Sequence, residues 1–460
     1  MYATALGVYE AFVNGVRAGT AELSPGSTSY TATLYAQASD VTAALADGEN
    51  TLEVVLSDGW FRGLTGAHRE PATWGTRTAA RLELYLRYTD GSTQVVRSGP
   101  GWTSSTGPIR RADRMDGQTT DFTAAPSPAT PVLVDAVTAP PIEWTPAPPV
   151  RRVAQLPART VRTLDTGAYV VDFDRDEVIS DGVPGRAFEP RHTTAARLYD
   201  VAGFTDKWLR SVRDDQLDDG RICNISPDAK RLKVNREPLS DLLTGSAGWG
   251  DAIVLVTWVM YETYGDRRVL TENWDAMVRW VEFALHSARS ARHPSRVERS
   301  PEPEEHEAFL WDGSFHWGEW LEPRPRNADG TQAAPVWEDG AAWFGADKSE
   351  VATAYLYRST RTLSAIADLL DRPEDATRYR EVAERVRDAW RREFLDDAGR
   401  TTGHTQAGYV RALSFALIPD ALWDRAAQHL VATLVFPGGH TVRTGPGHVT
   451  ERRPVFVPHG

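Results

Sequence analysis

The chain changes its hydrophobic period once. Up to residue 123 apolar side chains alternate with polar ones. From about residue 193 they recur every three or four positions. A period of two buries one face of a strand, and a period near 3.6 buries one stripe of a helix. A uniform fold is therefore excluded, and a β part followed by an α part is predicted. In the first part Tyr9, Ala11 and Val13 alternate up to Asn14-Gly15, a two-residue hairpin signal. Leu82, Leu84, Leu86 and Tyr88 alternate up to Asp90-Gly91, and Val95-Val96 follows on a returning strand. Pro25-Gly26, Asp47-Gly48 and Asp58-Gly59 supply further turns, so residues 1–123 predict an antiparallel sandwich or jelly roll.

Nine prolines between Pro126 and Pro157 separate the two parts. Proline fixes φ and removes a donor, so this stretch predicts an extended connector. One short β run, Ala168 to Phe173, precedes the helical pattern and stands almost alone. Beyond it, Trp274, Met277, Val278, Val281 and Leu285 mark one helix face, and Tyr379, Val382, Ala383, Val386 and Trp390 another. Residues 252–264 are apolar nearly all round, as in a helix buried on several sides, with Gly265 as its stop. Residues 351–370 and 405–433 add helices, and short loops between them suggest α/α hairpins. The predicted organisation is a β-sandwich at 1–123, a connector and second β remnant at 124–190, a partial α/α barrel at 191–436, and an atypical tail at 437–460.

A net charge of −12 disfavours nucleic acid and an anionic membrane face as partners. No apolar run nears the roughly 20 residues of a membrane helix. No leader is visible at Met1, and the start reads like the middle of a β domain, so the expected location is cytoplasmic or left open. The single cysteine, Cys223, rules out an internal disulfide and a multi-cysteine metal site and reads as a small buried side chain. The acidic run Asp214–Asp219 lacks the spacing of a calcium loop and reads as a helix end capped by Gly220. No metal and no cofactor are expected.

Sixteen tryptophans are a high count, and two clusters set three of them beside carboxylates. One is Gly245-Ser-Ala-Gly-Trp-Gly-Asp251; the other is Phe315-His-Trp-Gly-Glu-Trp-Leu321. An indole covers the apolar face of a sugar ring, and a carboxylate accepts its hydroxyl hydrogen bonds. Glycoside hydrolysis needs two carboxyl groups, about 5 Å apart for retention or roughly 6.5–9.5 Å for inversion. Asp251 and Glu319 are the first candidates, followed by Asp312 and Glu322. Structural readings stand beside each: Asp251 as a first-turn helix residue, Trp249 as core, Trp317 and Trp320 as one helix face, and His316 as a hydrogen-bonded core histidine.

With these residues in view the chain resembles the bacterial α-L-rhamnosidases. Val8–Gly19, Asp40-Val-Thr42, Gly48-Glu-Asn50, Asp58–Gly63 and Tyr169–Phe173 resemble the β domains of that family. Phe204–Leu209, the two tryptophan clusters, Asp347–Thr353 and Thr405-Gln406 resemble its α/α barrel. The resemblance implies hydrolysis of terminal non-reducing α-L-rhamnose with inversion, and a rhamnose-containing glycoside as partner. It implies that Trp249 lines the sugar subsite, that Trp317 or Trp320 forms a second wall, and that Asp251 and Glu319 are polar contacts.

The family's general acid lies in an Asp-Glu-Arg-x-Gly-Trp-x-Gly-Asp type of segment ahead of the helix that Thr194–Asp200 resembles. Here Ser180–Arg186 leads directly into that helix. The general base is expected before a Trp-Glu-Arg type of segment, and Glu451-Arg452 lacks the tryptophan. Twelve barrel helices at about 11–14 residues each, with loops, exceed what 193–436 comfortably holds. An incomplete barrel is therefore expected. Either the chain follows the family's chemistry or it is a remnant that at most binds carbohydrate. In a third reading Asp251 and Glu319 themselves form the catalytic pair of another glycosidase.

Overall fold

A computed structural model of the chain describes residues 1–65, 69–134, 140–172, 200–228, 243–319 and 340–434. Trp320, Glu322, the Ser180–Arg186 run, the Thr194 helix and the Glu451-Arg452 pair lie outside the described residues. Contacts divide the chain into two units. One takes in Met1–Arg186, Ala202–Asp214 and Ile225–Arg236; the other takes in Ala187–Val201, Asp215–Asn224 and Glu237–Gly460.

The first unit is a β-sandwich. Its larger sheet orders Ile142–Trp144, Leu34–Ala38, Tyr2–Leu6, Ala79–Arg87 and Thr93–Arg97. A second sheet orders Val16–Arg17, Val8–Val13 and Leu52–Ser57. Ala3, Ala5 and Leu82 from one sheet pack with Tyr9 and Ala11 from the other, which is what the alternation demands. Asn14 and Gly15 both take positive φ, 52° and 77°, and close the Val13–Val16 pair as the predicted tight hairpin. Asp58-Gly59 instead opens a single helical turn, α1 (Gly59–Arg62), so that turn signal does not make a hairpin.

The proline-rich stretch is more than a spacer. Ile142–Trp144 pairs in parallel with Leu34–Ala38, and Glu22 bridges Val150, so the sandwich extends past residue 123. Tyr169–Asp172 does not stand alone either; it pairs with Thr160–Thr163. The next described helix, α2 (Ala202–Asp215), lies in the stretch expected in the barrel. Residues 202–214 group instead with the sandwich, where Arg210 pairs with Glu143 at 3.3 Å and Thr33 donates to Asp214 at 3.1 Å. Periodicity identifies a helix but not the surface its stripe will cover.

The second unit is helical. Its helices are α3 (Ala252–Tyr264), α4 (Arg268–Ser290), α5 (Pro294–Arg299), α6 (Gly340–Gly345), α7 (Ser349–Leu369), α8 (Pro373–Phe394), α9 (Gln406–Ser414) and α10 (Asp420–Leu434). Successive helices pack as pairs: α3 on α4, α7 on α8, α9 on α10. α3 is buried over most of its circumference, as its uniform apolarity requires, and Gly265 ends it at φ 68° with its N–H on Tyr261 O. On α4 the side chains of Trp274, Met277, Trp280, Val281 and Leu285 are buried. The run 405–433 is two helices, because Ala416 at φ 61° and Pro419 break it. Gly220, at φ 94°, sits in a turn bonded to Leu217 O after α2 has ended, and a side chain there would strike the Arg279 carbonyl. Cys223 is buried, with its thiol donating to Asp215 O at 3.3 Å.

Among the described residues no helix is long and apolar enough to cross a membrane. None of their His, Cys, Asp and Glu side chains form a group able to hold a metal ion.

Candidate functional site

The two tryptophan clusters are distant in sequence, and the helical unit stitches them together. The loop before α3 places Ser246, Ala247 and Trp249; the loop after Trp311 places Phe315, His316 and Trp317. Ala247 N donates to His316 Nδ1 at 3.1 Å, and Trp317 N donates to Ser246 Oγ at 3.0 Å. Ser246 is fully buried, so neither bond competes with water. His316 plays the structural part. Burial, aided by the Lys348 charge, pushes its imidazole down to about 3, so the ring stays neutral and accepts at Nδ1.

These bonds bring the Trp249 and Trp317 rings to 6.2 Å between centroids, both half-buried. Trp317 lies in irregular backbone, so the prediction that it shares a helix face with Trp320 does not describe it. Its ring stands 5.1 Å from Phe315 and 5.7 Å from Trp343 on α6. Lys348 lies over Trp343 at 4.6 Å and also donates to Trp343 O at 2.6 Å. The result is an aromatic wall built from three separate segments. Trp343 and Lys348 were not singled out from the sequence; an aromatic pair, Trp343-Phe344, between glycines just ahead of a helix was the available signal.

Glycine makes the tight approach feasible. Gly248 at φ 78° and Gly318 at φ 61° take backbone conformations other residues avoid. A side chain at Gly250 would run into the Trp280 ring.

The carboxylates behave unlike one another. Asp251 has no exposed surface. Oδ1 accepts from Trp280 Nε1 at 3.0 Å and from Ser359 Oγ at 2.5 Å, and Oδ2 accepts from Gly248 N at 2.7 Å. It directly precedes α3 but makes no side-chain cap of that helix. Burial raises its pKa against the three hydrogen bonds that favour the anion. In this position it ties the Trp249 loop to α4 and α7 and leaves no surface for a ligand. Asp312 is likewise enclosed: it accepts from His293 N at 2.8 Å and lies 3.4 Å from Arg296.

Arg296 on α5 is itself buried. It reaches Asp347 at 2.8 Å and Glu393 at 3.4 Å, so Asp312 belongs to a structural ion cluster.

Glu319 is different. It is about one-third exposed, two residues beyond Trp317, and its Oε1 accepts from Arg411 Nη1. Arg411, on α9, is buried and also faces Glu350 Oε1 at 3.8 Å. Of the predicted site residues, Trp249 and Trp317 meet, Glu319 follows Trp317 by two residues and stays partly exposed, and Asp251 is enclosed.

The bacterial α-L-rhamnosidase six-hairpin glycosidase domain matches residues 188–447, and the α-L-rhamnosidase N-terminal domain matches residues 1–163. The chain belongs to the bacterial α-L-rhamnosidase family of glycoside hydrolases.

Among curated relatives, an α-L-rhamnosidase of Streptomyces avermitilis is 25% identical over 94% of this chain and 50% of its own length. One of Alteromonas sp. is 28% identical over 54% of this chain and 23% of its own. The chain therefore spans half or less of the length of these relatives. In fold it is similar to the Streptomyces avermitilis α-L-rhamnosidase complexed with L-rhamnose (TM-score 0.70, 24% identity, 94% of this chain and 50% of that one). It is also similar to the native α-L-rhamnosidase of Aspergillus terreus (TM-score 0.73, 21% identity, 94% and 62%).

Proposed function

We propose that the wall of Trp249 and Trp317, with Glu319 beside it, recognises a terminal α-L-rhamnose residue of a glycoside or oligosaccharide. In the full family form this site serves hydrolysis with inversion. The carrying observation is the convergence of the two clusters: separate loops are locked by the Ala247–His316 and Trp317–Ser246 hydrogen bonds so that two indoles pack together in one aromatic wall, with Glu319 two residues beyond Trp317. A half-buried aromatic wall suits a deoxy sugar, whose methyl group and ring hydrogens are apolar while its hydroxyls need acceptors.

For this chain we favour binding without turnover. Inversion requires an acid and a base on opposite sides of the bond. Asp251 is enclosed, Glu319 is tied to a guanidinium, and no segment resembling the family's acid motif stands ahead of Thr194. The alignment to the Streptomyces avermitilis relative runs over 580 positions, more than the 460 residues here, which supports an internal loss and an incomplete barrel. The test is incubation of folded chain with an aryl α-L-rhamnoside. The expected result is no release above buffer; measurable turnover overturns the binding-only reading. Turnover abolished by Glu319→Gln would favour Glu319 as a member of the catalytic pair.

A further inference from the structure

We propose that Lys348 is a positioning residue of the aromatic wall: from the start of α7 it clips α6 to the Phe315–Gly318 loop, so that Trp343 buttresses Trp317. The inference rests on the proposed function, in which Trp317 carries the sugar. Lys348 reaches two segments at once. Its Nζ donates to Trp343 O at 2.6 Å, and it stands 4.6 Å from the Trp343 ring centroid and 5.3 Å from that of Phe315. Its stem passes along Gly318, where a Cβ would lie 3.0 Å from Lys348 Cδ. The rings it joins also pack on one another: Trp343 is 5.7 Å from Phe315 and 5.7 Å from Trp317.

The two ends of this clip differ in firmness. Lys348 is anchored, because its carbonyl accepts from Ala352 N at 3.1 Å at the start of the 21-residue α7. Helix α6 has six residues, and none of them is buried. A helix that short is marginal on its own hydrogen bonds, so contacts outside it fix where Trp343 stands. Among the described residues the Lys348 ammonium has no carboxylate partner; a carbonyl and two ring faces take that place. Burial lowers its pKa, and an ammonium drawn out of water gains more from a ring face than an exposed one does. Trp317 has Trp249, Phe315 and Trp343 as ring neighbours. If Trp343 leaves, Trp317 has one support fewer, and a looser ring gives up more freedom when it binds.

The experiment uses the whole chain and the variants Lys348→Met, Lys348→Arg, Trp343→Ala and the double variant Lys348→Met with Trp343→Ala. Two readouts are taken: the L-rhamnose Kd, and the fluorine-19 resonance of Trp317 in 5-fluorotryptophan-labelled chain, assigned with Trp317→Phe. In Lys348→Met the Kd weakens about three- to tenfold, the worth of one aromatic pair, and the Trp317 resonance moves although Lys348 contacts Phe315 and Trp343 instead. Trp343→Ala weakens binding to the same extent, and the double variant weakens it no further, because Lys348 acts through Trp343. Lys348→Arg keeps a cation over the rings and restores both readouts. A merely structural lysine would change melting without moving the Trp317 resonance, and its effect would add to that of Trp343→Ala. An unchanged Kd and resonance in folded Lys348→Met, or full additivity in the double variant, overturns the proposal. If Lys348→Met does not fold, Trp343→Ala decides: parental Kd and Trp317 resonance in it overturn the proposal. If no form binds L-rhamnose, the functional reading fails, and the resonance alone decides the clip: unmoved in Lys348→Met, it overturns the proposal.

Discussion

Replacing Asp251 with alanine should cost the helical unit far more than a surface change. The carboxylate receives Trp280 Nε1, Ser359 Oγ and Gly248 N in a place with no exposed surface. Alanine leaves these donors facing a void. The Ser359 hydroxyl can rotate, but the indole and backbone N–H groups cannot. Each buried unsatisfied donor costs about 1–3 kcal/mol, so the expected loss is roughly 3–5 kcal/mol once relief of the buried charge is set against it. For a unit of this size that lowers the melting midpoint by roughly 6–20 °C, read by circular dichroism.

Asp251→Asn should fall between the two. It keeps the shape but turns an amide N–H₂ toward a donor. The pH dependence has a definite sign. Burial raises the folded-state pKa of Asp251, so its carboxyl favours folding at low pH and penalises it as pH rises through that value. Asp251→Asn should flatten that component. If Asp251→Ala melts within about 1 °C of the parent and loses only sugar binding, the anchoring role is wrong and Asp251 is a ligand contact after all.

Other outcomes follow from the same geometry. Gly250→Ala should destabilise by about 1–3 kcal/mol, because its methyl meets the Trp280 ring; a melting curve unchanged by the substitution would contradict the packing. Stability should fall on acidification for two reasons. His316 stays neutral in the fold down to about 3, so below the ordinary histidine range unfolding gains a proton and roughly 1.4 kcal/mol per pH unit is lost. Burial pushes Glu307 and Glu393 up, but their arginine partners outweigh it and hold both low, so their contribution disappears further down as each carboxylate protonates. Denaturant titrations at pH 7, 5.5 and 4 check this, and a midpoint independent of pH would count against both. Trp317→Ala should weaken L-rhamnose binding about tenfold with the fold retained.

What the sequence disclosed tracks local physics closely. The Asn14-Gly15 hairpin, the Gly265 cap and the buried stripes of α4 and α8 each depend on a few neighbouring residues, and each is where the pattern places it. What it concealed depends on distant partners. Nothing in Ile142–Trp144 states that it will join a sheet edge formed more than a hundred residues earlier. Nothing in α2 says that its first thirteen residues group with the sandwich.

The site divides in the same way. The two tryptophan clusters were legible as a candidate site, and Trp249 and Trp317 do meet. The environment of each carboxylate was not legible. Asp251 is enclosed because Trp280 and Ser359, far along the chain, point at it. Glu319 stays accessible but acquires Arg411, ninety-two residues away. A residue's charge is written locally, but its burial and its partner are not.

We propose that the stitched wall of Trp249 and Trp317, with Glu319 two residues beyond Trp317, is a rhamnose site in this chain. Calorimetric titration of the folded 460-residue chain with L-rhamnose tests it most directly. The account predicts saturable binding of one sugar per chain, weakened about tenfold by Trp317→Ala. A folded chain that gives no binding heat with L-rhamnose, or that binds it equally well after Trp317→Ala, would contradict the claim.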